Sequence, residues 1–249
     1  MSDRRLVSVI TVVRNAEQTI ERTIKSVLEQ TYERIEYLVL DGGSTDRTVD
    51  LISKYERRIA YWRSEPDGGI YDAMNKAIGI ATGDWIHLLN ADDFYADPDV
   101  WARVISRLDP ARVNYFTMIQ RLKSGEERPY RFQYRFWQLF YSAYLPHPAL
   151  VVHHAQYRAV GKYSMSYKIA ADHDMILRLV RRYRANFIDL PFVIMSDGGL
   201  STRHPELALR EVEQITVAHG LPWAVARAFY LMKLARLKSR KLQRQRRAS

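Results

Sequence analysis

The sequence predicts an α/β fold, a mostly parallel sheet covered by helices on both faces. Three observations carry that expectation. Short apolar runs alternate with helically spaced apolar positions through about residue 108. Turns rich in Gly, Asp, Ser or Asn separate them, and acidic residues gather in those turns. In such sheets ligands bind beyond the carboxyl ends of the strands.

The β-branched run Leu6 to Val13 reads as the first strand, with Asn15 as N-cap of a helix carrying Ile20, Ile24, Val27 and Leu28. Ile35 to Leu40 is the second strand, Asp41 to Asp46 its turn, and Val49 and Ile52 the face of the next helix. Ile59 to Ser64 is a third strand, followed by the turn Pro66 to Gly69 and a helical face of Ile70, Ala73, Met74, Ala77 and Ala81. Trp85 to Leu89 is the fourth, and a helix over 97–108 is expected with Asp97 as its cap and Pro98 in its first turn.

The pattern then becomes α+β. Alternation at Val113, Tyr115, Thr117 and Ile119 and again at Tyr130, Phe132, Tyr134 and Phe136 predicts antiparallel strands. A helix follows Asp172, then an apolar strand over Phe187 to Met195, a loop Ser196 to Thr202 and a helix from Pro205 to about His219. The expected division is 1–203 for one large domain, with a ligand-binding half at 1–108 and a second half at 109–203, and 204–249 for a helical basic tail. The last dozen residues are expected to be disordered.

The chain has 249 residues, no cysteine and a net charge of +10. Nine of those ten charges lie after Glu213, where no acid occurs, so the basicity describes the tail and not a catalytic surface. Leu221 to Leu237 is apolar but interrupted by Arg227, Lys233 and Arg236, which suits an interfacial helix on an anionic membrane better than a spanning one. The same segment is also suited to pairing with a copy of itself. A nucleic-acid partner is not expected, since the rest of the chain is almost neutral and carries no recognition motif. The absence of G-x-G-x-x-G and G-x-x-x-x-G-K-[ST] excludes the familiar dinucleotide and P-loop enzymes. Lack of cysteine and of an export signal makes a cytoplasmic setting the expectation, peripheral on the inner face of the cell membrane.

The adjacent carboxylates Asp92 and Asp93 follow the fourth strand directly. Two acids there repel, and a divalent cation that also contacts phosphates offsets the repulsion. Local spacing equally permits a simple turn cap. Asp172 likewise reads either as a proton acceptor or as a helix cap. His147, between Pro146 and Pro148, is either a turn histidine or a neighbour of the acceptor or metal. The aromatic stretch Tyr130 to Tyr144 is either core or a membrane-facing or acceptor-facing surface.

Four motifs in order, SVITVVRN (8–15), LVLDGGSTDRT (38–48), EPDGGIYDAMNKAI (65–78) and GDWIHLLNADD (83–93), followed by HPALVV (147–152) and KIAADHDMILRL (168–179), make the chain resemble a family 2 glycosyltransferase with a GT-A fold. The resemblance covers roughly residues 6–203. It implies a nucleoside-diphosphate-sugar donor with uracil as its base, Mn2+ or Mg2+ as cofactor, and a glycan or polyprenyl-linked acceptor in bacterial surface polysaccharide synthesis. It implies base and ribose contacts at Thr11, Val13, Asn15 and Asp41, and further donor contacts at Asp67, Asn75 and Lys76. Asp92 is then expected to face the ribose, Asp93 to hold the metal, and Asp172 to act as general base in a single inverting displacement. The turn Gly198 to Ser201 resembles a loop that closes over the donor.

Three positions depart from the family pattern. Met74 stands where Arg is common, with Lys76 as its possible substitute; Gly42 stands where a second Asp is common; and Ala171 precedes Asp172 where Glu is frequent. A nucleotidyltransferase acting on sugar phosphates is the alternative enzyme that the acidic pair permits, and it differs in releasing pyrophosphate.

Overall fold

A computed structural model describes residues 5–122, 124–131, 138–141, 145, 147–196 and 198–248. Seven elements build the first half: β1 (Val7–Val13), α1 (Ile20–Leu28), β2 (Ile35–Asp41), α2 (Thr48–Ser53), β3 (Tyr61–Ser64), α3 (Ile70–Ile80) and β4 (Trp85–Leu88). The short β5 (Phe94–Tyr95) and α4 (Val100–Val104) close it. The second half holds β6 (Arg112–Arg121), β7 (Glu127–Tyr130), α5 (Gln138–Tyr141), β8 (Leu150–His153), α6 (His154–Val160), α7 (Ala171–Arg182) and β9 (Arg184–Ser196). Three helices end the chain: α8 (Leu200–Arg203), α9 (Pro205–Ala218) and α10 (Trp223–Ala248).

The strands form one sheet in the order β3-β2-β1-β4-β8-β6-β9-β5, with β7 off this path and paired to the end of β6 over Met118–Arg121. β1 to β4 are mutually parallel, as the strand-helix alternation requires. Period-2 alternation divides the side chains between two cores. Ile10, Leu38, Ile86 and Val152 face the layer of α3 and α7. Val9, Val39, Trp85 and Val151 face that of α1, α2 and α4. The second core is densely aromatic. His87 sits there with both ring nitrogens hydrogen-bonded, to the Tyr95 hydroxyl at 2.8 Å and the Pro148 carbonyl at 2.9 Å, and burial pushes its pKa down to about 3.

Several expectations need correction. The helix expected over 97–108 is only α4 and a 3-10 turn at Ile105–Arg107. The carbonyls of Asp97 and Pro98 accept from Gln30 and Thr31, next to α1, and the Trp101 N–H that a helix would return to Asp97 goes to Gln30 Oε1 instead. Asn15 does not cap α1, whose cap position is Thr19. The second half is not simply antiparallel. β6 pairs with β7 and β8 antiparallel but with β9 parallel, across register shifts around Thr117. Those shifts accommodate Pro191 within β9, at a site where the ladder is already interrupted. The tail expected to be disordered continues as α10, consistent with a segment that has neither Gly nor Pro after Pro222 and is rich in Lys, Arg, Leu, Gln and Ala. The alternating segment 132–137 and residues 142–144 lie outside the described residues, and so does much of the aromatic stretch.

α9 is packed as part of the body, with Ile215 fully buried in the core that holds Met175 and Leu179 of α7. Its Glu211 carboxylate accepts the backbone N–H groups of Lys168, Ile169 and Ala170 at 2.8–2.9 Å. That satisfies donors just before α7, whose cap residue Ala170 has no side-chain oxygen to do so.

Candidate active site

At the carboxyl edge of the sheet, Asp41 ends β2 beside Val13, the last residue of β1. The Asp41 carboxylate is buried and accepts from the N–H groups of Gly43 and Ser44 and from the hydroxyls of Ser44 and Ser64. The same turn is held from outside by Asn15, whose side-chain oxygen accepts the Thr45 N–H at 2.8 Å and whose backbone adopts φ 51°. Asn15 thus shapes the turn that positions Asp41. Gly42 is explained by what lies over it: a Cβ there would meet the Asp67 carboxylate at 2.6 Å. A second Asp at 42 would also place its charge against two existing carboxylates.

Between this edge and α3 lies a cavity of about 370 Å³, lined among others by Asp41, Tyr61, Arg63, Asp67, Asn75 and Lys76. Its size is that of a small-molecule site. Four of the residues nominated for the donor therefore converge on one space. They do not all have free side chains. The Asn75 amide is bonded on both sides to Tyr163, donating to its carbonyl at 3.0 Å and accepting its N–H at 2.8 Å. Lys76 pairs with Asp72 at 2.9 Å but remains partly exposed at the cavity. Met74 is buried in the core and does not reach the cavity lining. Val13 is nearly buried, with its carbonyl accepting the Gly42 N–H. Thr11 is fully buried, accepting the Tyr37 hydroxyl at 3.2 Å, so its side chain belongs to the core.

The acidic pair follows β4 on the same edge. Thr23 of α1 holds its backbone, donating to the carbonyls of Ala91 and Asp93. Asp93 is 1% exposed, and its carboxylate accepts from Asn90 Nδ2 at 2.9 Å and the Ser196 N–H at 3.0 Å. Burial raises its pKa well above the ordinary carboxylate range, and the neighbouring Asp92 charge raises it further. Burial also raises that of Asp92, against the opposing pull of Arg203 and Arg22. These two arginines were not singled out by the sequence reading. Arg22 lies over the Phe94 ring at 4.1 Å and donates to the Asp92 carbonyl, while Arg203 belongs to α8, just after the Gly198–Gly199 turn.

The donor set fits a hard divalent cation. It has two adjacent carboxylates at a sheet edge whose ionisation is unfavourable without positive charge, and ions such as Mg2+ use one or two protein carboxylates together with substrate phosphates. No cluster of three or more possible ligands occurs among the described residues. Asp93 is the deeper member and Asp92 the more open one.

Asp172 stands in the first turn of α7 and accepts the His173 N–H at 2.8 Å. Desolvation is the leading cause that pushes its pKa up to about 6, the Glu211 charge adds to it, and backbone N–H groups and Tyr71 oppose it. Tyr71, from α3, donates to the Ile169 carbonyl at 2.6 Å and stacks on Tyr163 with 5.6 Å between centroids. Tyr163 in turn meets His147 Nε2 at 3.0 Å through its hydroxyl. His147 is buried in a 3-10 turn, and burial pushes its pKa down to about 4, which leaves it neutral near pH 7. The structure therefore joins Asn75, His147 and the Asp172 turn through two tyrosines. Nothing in the periodicity marks Tyr71 or Tyr163, because each acts through a contact between segments about 90 residues apart.

The chain matches the glycosyl transferase family 2 model over residues 8–165. An uncharacterized glycosyltransferase of Mycobacterium tuberculosis is 39% identical over 185 residues, 72% of this chain and 70% of that protein. A PGL/p-HBAD biosynthesis glycosyltransferase of Mycobacterium bovis is 30% identical over 190 residues, 71% of this chain and 72% of that one. Among solved structures, S. aureus TarS 1–349 in complex with UDP-GlcNAc superimposes with a TM-score of 0.70 at 17% identity, over 90% of this chain and 70% of that one. The chain spans 42% of the longer TarS structure. A mannosyltransferase of Pyrobaculum calidifontis in complex with GDP-Man and Mn2+ gives 0.67 at 17% identity, over 92% of this chain and 70% of that one. The fold these structures share with the chain is GT-A, and by its matched motifs the chain belongs to glycosyl transferase family 2.

Proposed function

We propose that the protein transfers a sugar from a nucleoside-diphosphate sugar, with uridine as the nucleoside, to a hydroxyl of a glycan or polyprenyl-linked acceptor, with inversion at the anomeric carbon. The observation that carries this reading is the pairing, on one sheet edge, of a donor-sized cavity around Asp41 and Asp67 with the acidic pair Asp92–Asp93, while α3 leads from that cavity to Asp172. The acceptor oxygen attacks the anomeric carbon as the bond to the diphosphate breaks. Its proton passes to Asp172, whose pKa near 6 leaves it ionised at neutral pH yet basic enough to assist. Asp93, with Asp92 beside it, would hold Mn2+ or Mg2+, which neutralises charge on the departing diphosphate. Gly198, with φ of +118°, and the following α8 supply a turn that brings Arg203 toward Asp92 and suits closure over the donor.

The proposed boundary between catalytic region and tail falls near residue 203, with α9 packed onto the former. The basic tail suits work on a lipid-linked acceptor at the inner face of the cell membrane. No helix among the described residues is long and apolar enough to cross a membrane.

The test is turnover of a nucleotide-sugar panel with Mn2+ or Mg2+, with membrane lipid extract as acceptor source, by wild type, Asp93→Ala and Asp172→Asn. Metal-dependent release of nucleoside diphosphate that Asp93→Ala abolishes supports the reading. Release of pyrophosphate from a nucleoside triphosphate and sugar phosphate replaces it with the nucleotidyltransferase alternative.

A further inference from the structure

α10 has two faces of different fate. Ala226 and Tyr230 are buried, and with Phe229 they border a narrow crevice against Leu209, Val212 and Thr216 of α9. Arg227 pairs with Glu213 of α9 at 3.3 Å and fixes the rotation of the helix. The opposite face is exposed: Ala224, Val225, Ala228, Leu231, Met232 and Ala235 recur at helical spacing for three turns without a polar residue among them. Leu231 is 53% exposed and Met232 40%, and Trp223, at 62%, stands at the start of the stripe. Exposed Arg236 and Lys238 border its downstream end on either side.

We infer that this outward stripe of α10 is a lipid-docking face, on which the helix lies flat at the surface of an anionic bilayer with its apolar side chains below the headgroups. This rests on the membrane-surface part of the proposed function and deepens it by naming the face. Charge decides the occupant. Seven further basic residues follow Lys233, and no acid lies beyond Glu213. A second copy laid parallel along the stripe would bring its own basic segment against this one, and an antiparallel copy would leave both basic segments beyond the apolar contact. An anionic lipid surface offers apolar depth and opposite charge together. The placement also suits the chemistry. α10 packs on α9, whose Glu211 holds the turn before Asp172, and Lys233 lies close enough to His173 to act on it electrostatically. A docked α10 therefore connects the bilayer to the base through two packed helices.

The test uses the full chain with phosphatidylglycerol-phosphatidylcholine vesicles and the double variant Leu231→Glu/Met232→Glu. Both positions are exposed, so folding should be kept, which circular dichroism and Tm verify. The expected result is flotation of the wild type with these vesicles, a blue shift of Trp223 emission, and at least tenfold weaker binding of the variant. Equal vesicle binding by variant and wild type would overturn the inference while leaving the membrane-surface reading in place, since the tail charge alone would then suffice. No vesicle binding by either, with a dimer in light scattering that the variant dissociates, would overturn both in favour of self-association. Donor turnover, measured without lipid, reports on the transfer chemistry independently.

Discussion

The Glu211 carboxylate accepts the backbone N–H of Ala170 at 2.8 Å, two residues before Asp172, and so places a negative charge beneath the turn that presents the proposed base. Replacing it with Gln removes the charge and keeps one acceptor oxygen. The groups facing Asp172 are then Tyr71 and the backbone N–H groups, both of which favour its ionised form. The Asp172 pKa should fall below its value of about 6, so the acid limb of the kcat profile should move to lower pH in Glu211→Gln. A purely structural role would lower kcat without moving that limb.

Activity of the wild type should rise with pH through about 6, because the base must lose its proton to act. Asp172→Asn should lower kcat by roughly 10²–10⁴-fold, the usual contribution of a general base, with donor binding by calorimetry unchanged. An equal loss of donor affinity would assign Asp172 to binding instead.

Gly42→Ala sets a methyl group against the Asp67 carboxylate. Asp67 must then shift at the cavity, and donor affinity should fall by about tenfold, or about 1.4 kcal/mol, with little change in Tm. Unaltered affinity would remove Asp67 from the donor contacts.

Thr11→Val separates stability from binding. It leaves the buried Tyr37 hydroxyl without its acceptor, at a cost of about 1–3 kcal/mol. Tm should drop by about 2–4 °C per kcal/mol while KM for the donor stays the same.

Mn2+ at about 100 times its Kd should stabilise the wild type by about 2.7 kcal/mol and raise Tm accordingly. Asp93→Asn should abolish that increment. A variant that still responds to Mn2+ would move the metal away from Asp93.

How much was legible in the sequence varies with how local the cause is. The continuous apolar runs of β1, β2 and β4 belong to strands buried on both faces between the two cores, and the Gly-Asp-Ser turn after β2 carries its own reason for being a turn, so these elements read directly. The helix over 97–108 did not, because Gln30, from another part of the chain, accepts the Trp101 N–H that a helix would return to Asp97. Thr11 and Asp41 both looked like donor residues, yet only the structure separates a threonine bonded to a core tyrosine from an aspartate lining the cavity.

The sequence by itself determined the family, the parallel half of the sheet and the carboxylates at its edge, since strand alternation and turn chemistry are properties of neighbours along the chain. Tertiary structure alone decided which of those carboxylates are desolvated, that Tyr71 and Tyr163 link α3 to the Asp172 turn, that Glu211 caps that turn, and which face of α10 is left open. Burial and hydrogen bonding between distant segments set these properties, and neither is encoded in the spacing of residues along a single element.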